Sequence, residues 1–176
     1  MASQGKGAKA KGSGFERKVA KMLTEWWQTG NLEGEFYKTP ASGGLRWEKR
    51  PDTIGDICTP EGFTQTIECK CREDWEYSQF IEKGKLGKDN LYAWLKQACD
   101  EAERANKLPW LILKKNYHKP LLICAYVDKP SNFYASSMEY TYTFFPQARK
   151  NWNKISVIDL NHFLEMMQPD MFIERN

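Results

Sequence analysis

Long hydrophobic runs are missing from this chain of 176 residues, and no window approaches the roughly 18 consecutive apolar residues that a membrane helix needs. Residues 1–14 also lack the apolar stretch of a secretory signal, so a cytoplasmic protein with no membrane partner is expected. Histidine is scarce: only His118 and His162 are present. The five cysteines, Cys58, Cys69, Cys71, Cys99 and Cys124, form an odd set without paired metal-ligand spacings. That combination argues against a disulfide framework and against tetrahedral zinc, and it suits a reducing compartment. Acids are absent from residues 1–14, which carry Lys6, Lys9 and Lys11 among Gly, Ala and Ser. No internal repeat is visible, which excludes solenoid and propeller architectures.

What remains is the composition of an ordinary globular domain, 41% hydrophobic and 28% charged, with an aromatic content of 14% on the rich side. The net charge of +3 is too small to identify a partner. Residues 1–13 read as a flexible basic tail able to touch phosphates, or as a merely solubilising one. Residues 14–176 read as a single domain, with a core over 14–127 and an aromatic-rich C-terminal extension over 128–176.

Phe15, Val19, Met22, Leu23 and Trp26 recur at helical spacing, and Ser13 stands three residues before Glu16 as in a capping box, which predicts a helix over about 14–28. A Gly- and Pro-containing stretch follows, from Gly30 to Pro51. Two β-like runs, Thr53 to Cys58 and Thr64 to Cys71, flank the turn residues Pro60 and Gly62 and predict a hairpin. A second amphipathic helix is expected over about 90–106, then buried strands at 110–113 and 121–127, a strand at 155–158 and a helix over about 161–167. The order α-β-β-α-β-β, with C-terminal additions, predicts an α/β fold: a central mixed sheet flanked by helices.

Three charged residues interrupt the hairpin. Glu68 and Lys70 are two apart, so on a strand they share one face while Ile67, Cys69 and Cys71 take the other. Asp56 and Glu68 are equidistant from Gly62, so a turn centred there sets them opposite one another, with Cβ atoms roughly 5 Å apart. Two carboxylates so placed repel unless a cation lies between them, and hard oxygen donors with room for water and phosphate describe a Mg²⁺ site. Such a site, with Lys70 beside it, has the parts that phosphodiester hydrolysis needs. The plainer alternative is a surface ion pair of Glu68 with Lys70 and an ordinary turn-side Asp56.

This arrangement resembles the PD-(D/E)XK nuclease superfamily, whose metal-binding and catalytic core is matched by Asp56 and by Ile67-Glu68-Cys69-Lys70. Gly14-Phe15-Glu16-Arg17 and Lys38-Thr39-Pro40-Ala41-Ser42-Gly43 are similar to segments of the archaeal-type and phage Holliday junction resolvases. The resemblance spans residues 12–127 and implies a restriction-endonuclease-like fold and a Mg²⁺-dependent endonuclease, Mn²⁺ substituting. Its implied metal ligands are Asp56, Glu68, Cys69 and Glu16, and its catalytic set is Glu16, Asp56, Glu68, Lys70 and Ser42. Candidate DNA contacts are Arg17, Lys38, Ser42, Gln97 and Lys114. The implied substrate is DNA, four-way junctions above all, cut by a homodimer in the cytoplasm, that of the host if the chain is phage-encoded. Restriction, repair or exonuclease action on linear or damaged DNA, or a non-catalytic DNA-binding module, are the alternatives. Lys38 stands where an arginine is usual, and the stretch from Gly44 to Asp56 and the insertion after Lys70 depart from the resolvase pattern.

Overall fold

Apolar stripes at helical and alternating spacing determine where the layers of this molecule meet. In the computed structural model, residues 4–40, 51–76, 90–126, 141–142 and 154–174 are described. Three helices, α1 (Gln4–Thr29), α2 (Leu91–Ala105) and α3 (Leu160–Met166), accompany strands β1 (Tyr37–Lys38), β2 (Ile57–Cys58), β3 (Gln65–Cys71), β4 (Leu108–Lys114), β5 (Leu121–Tyr126), β6 (Thr141–Tyr142) and β7 (Lys154–Asp159). The strands form one sheet in the order β1-β2-β3-β4-β5-β7-β6. β3 and β4 run parallel and are joined through α2, whereas the other neighbours are antiparallel. A parallel pair needs a crossover long enough to return the chain, and α2 provides it. The expected mixed α/β sheet flanked by helices is therefore observed.

Alternation along β3 and β4 assigns the two faces. Ile67, Cys69, Trp110 and Ile112 pack with Phe15, Val19, Leu23, Trp26 and Trp27 of α1. Leu111, Leu113 and Ile123 pack with Leu91, Trp94, Leu95 and Ala98 of α2. The N-cap of α2 is Asn90, whose side chain accepts from the Ala93 N–H. Aromatic rings fill the α1 face: Trp27 meets Phe36 and Phe63, and Trp110 meets Phe163 and Phe172, all edge-on with centroids 5.2–5.8 Å apart. Two of the buried indoles on this face donate their N–H groups to carbonyls, Trp26 to Met167 and Trp27 to Glu33.

Two expectations are corrected. The first helix begins at Gln4 rather than Gly14, so Ser13 lies inside it and does not cap it, and residues 4–13 are helical instead of a separate arm. Alanines and lysines favour helix despite Gly5, Gly7, Gly12 and Gly14, and Lys11 is held by Glu73 at 2.7 Å. Part of the expected C-terminal extension, moreover, is inside the fold. β7 is a sheet strand, and Phe163 and Phe172 are core. Past a 3-10 turn at Pro169–Phe172, the chain straps the hairpin: the Thr64 N–H bonds to the Phe172 carbonyl and the Glu174 N–H to that of Gly62, both at 2.9 Å.

Candidate active site

The hairpin closes where its turn residues predict. Ile57 pairs with Ile67, so the ladder is symmetric about Gly62, which turns with φ +76°. This is the register that faces Asp56 toward Glu68. The ladder stops there because Gly55 adopts φ +100° and lies against the β3 backbone, where an added Cβ would fall 2.6 Å from the Ile67 carbonyl oxygen. β2 consequently peels away from β3. The Asp56 N–H bonds to the Ile67 carbonyl at 2.9 Å, and its Oδ2 accepts from the Cys69 N–H at 3.0 Å. The literal Pro-Asp dipeptide, Pro51-Asp52, lies in a 3-10 turn, and the charge of Asp52 acts on Lys107. Asp56, not Asp52, is the acid bonded to the Glu68-bearing strand.

Glu68 and Lys70 project together on the α2 face. Glu68 is 2% exposed and accepts at one oxygen, Oε1, from both the Lys70 ammonium and the Gln97 amide, the latter at 2.9 Å. The same Gln97 nitrogen donates to Glu101 at 3.0 Å, one helical turn further along α2. On the other side Glu16 of α1 is paired with Lys38 of β1 at 2.6 Å, both side chains mostly buried. Since Lys38 pairs with Ile57 in the sheet, it stands beside Asp56 along the chain of contacts.

Electrostatically, Asp56, Glu68, Lys70 and Glu101 act on one another. Burial pushes the Glu68 carboxyl well above the usual range, with the charges of Asp56 and Glu101 adding to the effect and Lys70 opposing it. Burial likewise raises Asp56, reinforced by Glu16 and Glu101, against the Cys69 hydrogen bond and Lys70. Desolvation alone would lower Lys70, but the Glu68 charge and hydrogen bond outweigh it and the ammonium is held more firmly. Among the described residues, Glu16, Asp56, Glu68 and Glu101 are faced by Lys38, Lys70 and, at 4.0 Å from Glu101, Arg104, which leaves the cluster with one more acid than cations.

The donors available are hard oxygens, which suits Mg²⁺ or Mn²⁺. Among the described residues no three Asp, Glu, His or Cys side chains close on one point as a ready cage. A site of one or two carboxylates, with the remaining positions left to water and phosphate, is the habit of Mg²⁺. The Cys69 thiol does not fit this set as a thiolate. It belongs to the opposite, α1-facing cluster, and burial pushes it well up, so what Cys69 can offer beside Glu68 is its backbone carbonyl.

Of the other candidates, Arg17 is exposed next to Glu16, and Gln97 joins the cluster. Ser42 lies outside the described residues. Lys114 is not brought to Glu68: the parallel register pairs it with Cys71, so it points to the α1 side. In the insertion after Lys70, Trp75 is 4% exposed and packs with α2, under the Lys115 ammonium. The lysines at 83, 85 and 88 lie outside the described residues.

Glu101 and Gly55 were not singled out by sequence reasoning. Glu101 is four residues after Gln97 on the same helix face. Gly55, immediately before the acid, is a backbone requirement that an isolated glycine only hints at.

A protein-family model described as "Phage putative PDDEXK endonuclease" matches residues 7–174. The chain belongs to this family. The match covers the hairpin, both large helices and the C-terminal strap, so the PD-(D/E)XK resemblance extends well beyond residues 12–127. Family membership makes this chain one of a family of nucleases, which ordinarily work with divalent metal ions. No curated protein and no solved structure matches the chain. No helix among the described residues is long and apolar enough to cross a membrane.

Proposed function

We propose that this PDDEXK family member is a Mg²⁺-dependent endodeoxyribonuclease that hydrolyses phosphodiesters in branched DNA, four-way junctions above all, as a homodimer. The observation that carries the chemistry is the grouping of Asp56, Glu68 and Lys70 at the point where β2 leaves β3, with Glu16 and Gln97 reaching it from the two helices. The branched substrate rests on the likeness of Gly14-Phe15-Glu16-Arg17 and of residues 38–43 to the junction resolvases. The dimer follows from the substrate, since paired incisions need two sites and this chain has one such grouping among its described residues.

A divalent cation bound here supplies an activated water and charge neutralisation on the phosphate. Asp56 and Glu68 would hold it, assisted by the Cys69 carbonyl and by Glu16. Lys70 is bonded to Glu68, so its ammonium is within reach of a phosphate oxygen beside that carboxylate, where it stabilises developing negative charge. The Gln97 amide fixes the Glu68 carboxylate in its rotamer. Lys38 balances Glu16, and Arg17 and Ser42 would contact phosphates, with Ser42 in a glycine-flanked segment that lets backbone approach closely.

The test is cleavage of labelled four-way junction, flap, linear duplex and single strand, with Mg²⁺, Mn²⁺ or chelator. Paired cuts confined to the junction are expected. Glu68→Gln and Lys70→Ala should each reduce the rate by about 10²-fold or more, the scale for losing a charge-stabilising group. Unchanged cleavage by both variants would remove the catalytic assignment, and cutting of linear duplex alone would replace the junction by an ordinary duplex substrate. Sizing the protein in solution tests the dimer.

A further inference from the structure

The opposite face of the sheet carries a groove that the nuclease site does not use. It holds about 290 Å³ and runs between the middle of α1 and the β4–β5 turn. Phe15 and Met22 line it together with Lys18, Lys114 and Lys119, and among the described residues every charged lining residue is a lysine. Its rim is the turn residues Tyr117 and His118. Lys119 has an acid neighbour in Asp159, 3.6 Å away and already accepting the Asn161 and His162 N–H groups, and at the turn Glu73 accepts from the Asn116 N–H and from Lys11.

Tyr117 stands out at this rim. Its side chain is fully exposed, at 105%, while its backbone sits at φ +62°. A bulky residue seldom takes that conformation, and a turn of this kind would be relieved by Gly or Asn. An aromatic ring held in water at a strained turn, above a cationic groove with an apolar lining, is the arrangement by which proteins stack an unpaired base and follow its phosphates.

The size of the groove selects among nucleic acids. At about 290 Å³ it cannot admit a duplex, which could only lie across the rim. One unpaired nucleotide is the scale that it fits. Position selects further: Lys114 pairs with Cys71, next to Lys70 on the same strand but on the other face. The groove and the Asp56–Glu68–Lys70 grouping thus lie on opposite faces near the C-terminal ends of β3 and β4. Arg17 is exposed between Glu16 of the site and Lys18 of the groove.

We propose that the groove seats an unpaired nucleotide of the DNA substrate, its base stacked on Tyr117 and its flanking phosphates on Lys18, Lys114 and Lys119. This rests on the nuclease reading for the identity of the nucleic acid. It makes the preferred substrate one in which a single strand leaves a duplex close to the cut.

The experiment measures binding without cleavage: fluorescence anisotropy of a labelled 12-residue oligo(dT) and of a blunt duplex, in chelator, across a salt series. Wild type should hold the single strand. Tyr117→Ala should weaken it at least about fivefold, the low end for losing one base–aromatic stack, while Tyr117→Phe keeps it. The Lys18→Ala/Lys119→Ala pair should weaken binding and flatten the slope of log K against log salt by about 1.4, some 0.7 per lost phosphate contact on a single strand. These positions are exposed, and melting curves like wild type will show that the variants are folded. No binding of oligo(dT) by wild type, wild-type binding by Tyr117→Ala, or an equal loss on duplex would overturn the groove. Parallel Mg²⁺ cleavage assays of wild type keep the two readings apart, because absent cleavage with Tyr117-dependent binding rejects only the nuclease, and cleavage with Tyr117-independent binding rejects only the groove.

Discussion

Gly55 shows how much of the candidate site depends on backbone rather than on side chains. At φ +100° it lets the chain approach β3 so closely that only hydrogen fits against the Ile67 carbonyl. The same approach lets Asp56 place its N–H on that carbonyl and its carboxylate on the Cys69 N–H. Gly55→Ala should therefore destabilise the fold by about 2–4 kcal/mol, from the left-handed conformation and the displaced hydrogen bonds together. Urea denaturation measures this, and an unchanged midpoint would show that β2 can shift freely. Glu68 illustrates the complementary point, since its carboxylate is buried where charge is costly and is held by donors from its own strand and from α2. Structural ion pairs are also found in cores, but here two more acids surround the pair and work against it.

At the scale of elements, the hairpin is too short to hold itself in place. β2 has two residues and two-stranded ribbons are marginal in water, so the hairpin depends on what packs against it. The C-terminal strap does that: Phe172 is buried among Trp26, Phe63, Trp110 and Phe163, and backbone bonds tie the strap to Thr64 and Gly62. Phe172→Ala should cost about 3–5 kcal/mol, the usual range for emptying a packed aromatic site. Hydrogen exchange adds a sharper check. The Thr64 and Glu174 amides should lose protection in this variant before those of β4 and β5, and uniform loss would mean that the strap is not a separate support.

For the whole molecule, the raised carboxyls make stability depend on pH and on metal. Asp56 and Glu68 titrate higher in the folded chain than in the unfolded one. The folded state thus binds protons more readily, so their contribution is fully present below the unfolded carboxylate range and is lost as pH rises through their elevated folded values. Without metal, melting temperature should fall on going from mildly acid to neutral pH through that window. Mg²⁺ or Mn²⁺ binds the ionised form and should reverse the fall, most strongly at the higher pH. Glu68→Gln removes one of the repelling charges, so it should flatten the slope and raise the metal-free melting temperature at neutral pH by about 2–4 °C for each kcal/mol relieved. Thermal melts in chelator and in Mg²⁺ across pH decide this, and a wild-type slope in Glu68→Gln would mean that other groups carry it.

Local rules act through spacing, and spacing is written in the sequence. The symmetry of Asp56 and Glu68 about Gly62, the shared face of Glu68 and Lys70, and the apolar stripes of α1 and α2 all follow from turn chemistry and from the periods of strand and helix, so these features were determined before any fold was known. Tertiary structure decided what depends on which elements become neighbours. The parallel register of β3 with β4 sends Lys114 to the groove instead of the site. Packing of β1 against α1 joins Lys38 to Glu16, the face presented by α2 brings Glu101 into the field of Asp56 and Glu68, and the strap turns C-terminal aromatics into core. No period along the chain encodes such pairings. They arise because distant segments must bury their apolar faces together, and the charged groups beside those faces are then forced into one another's company.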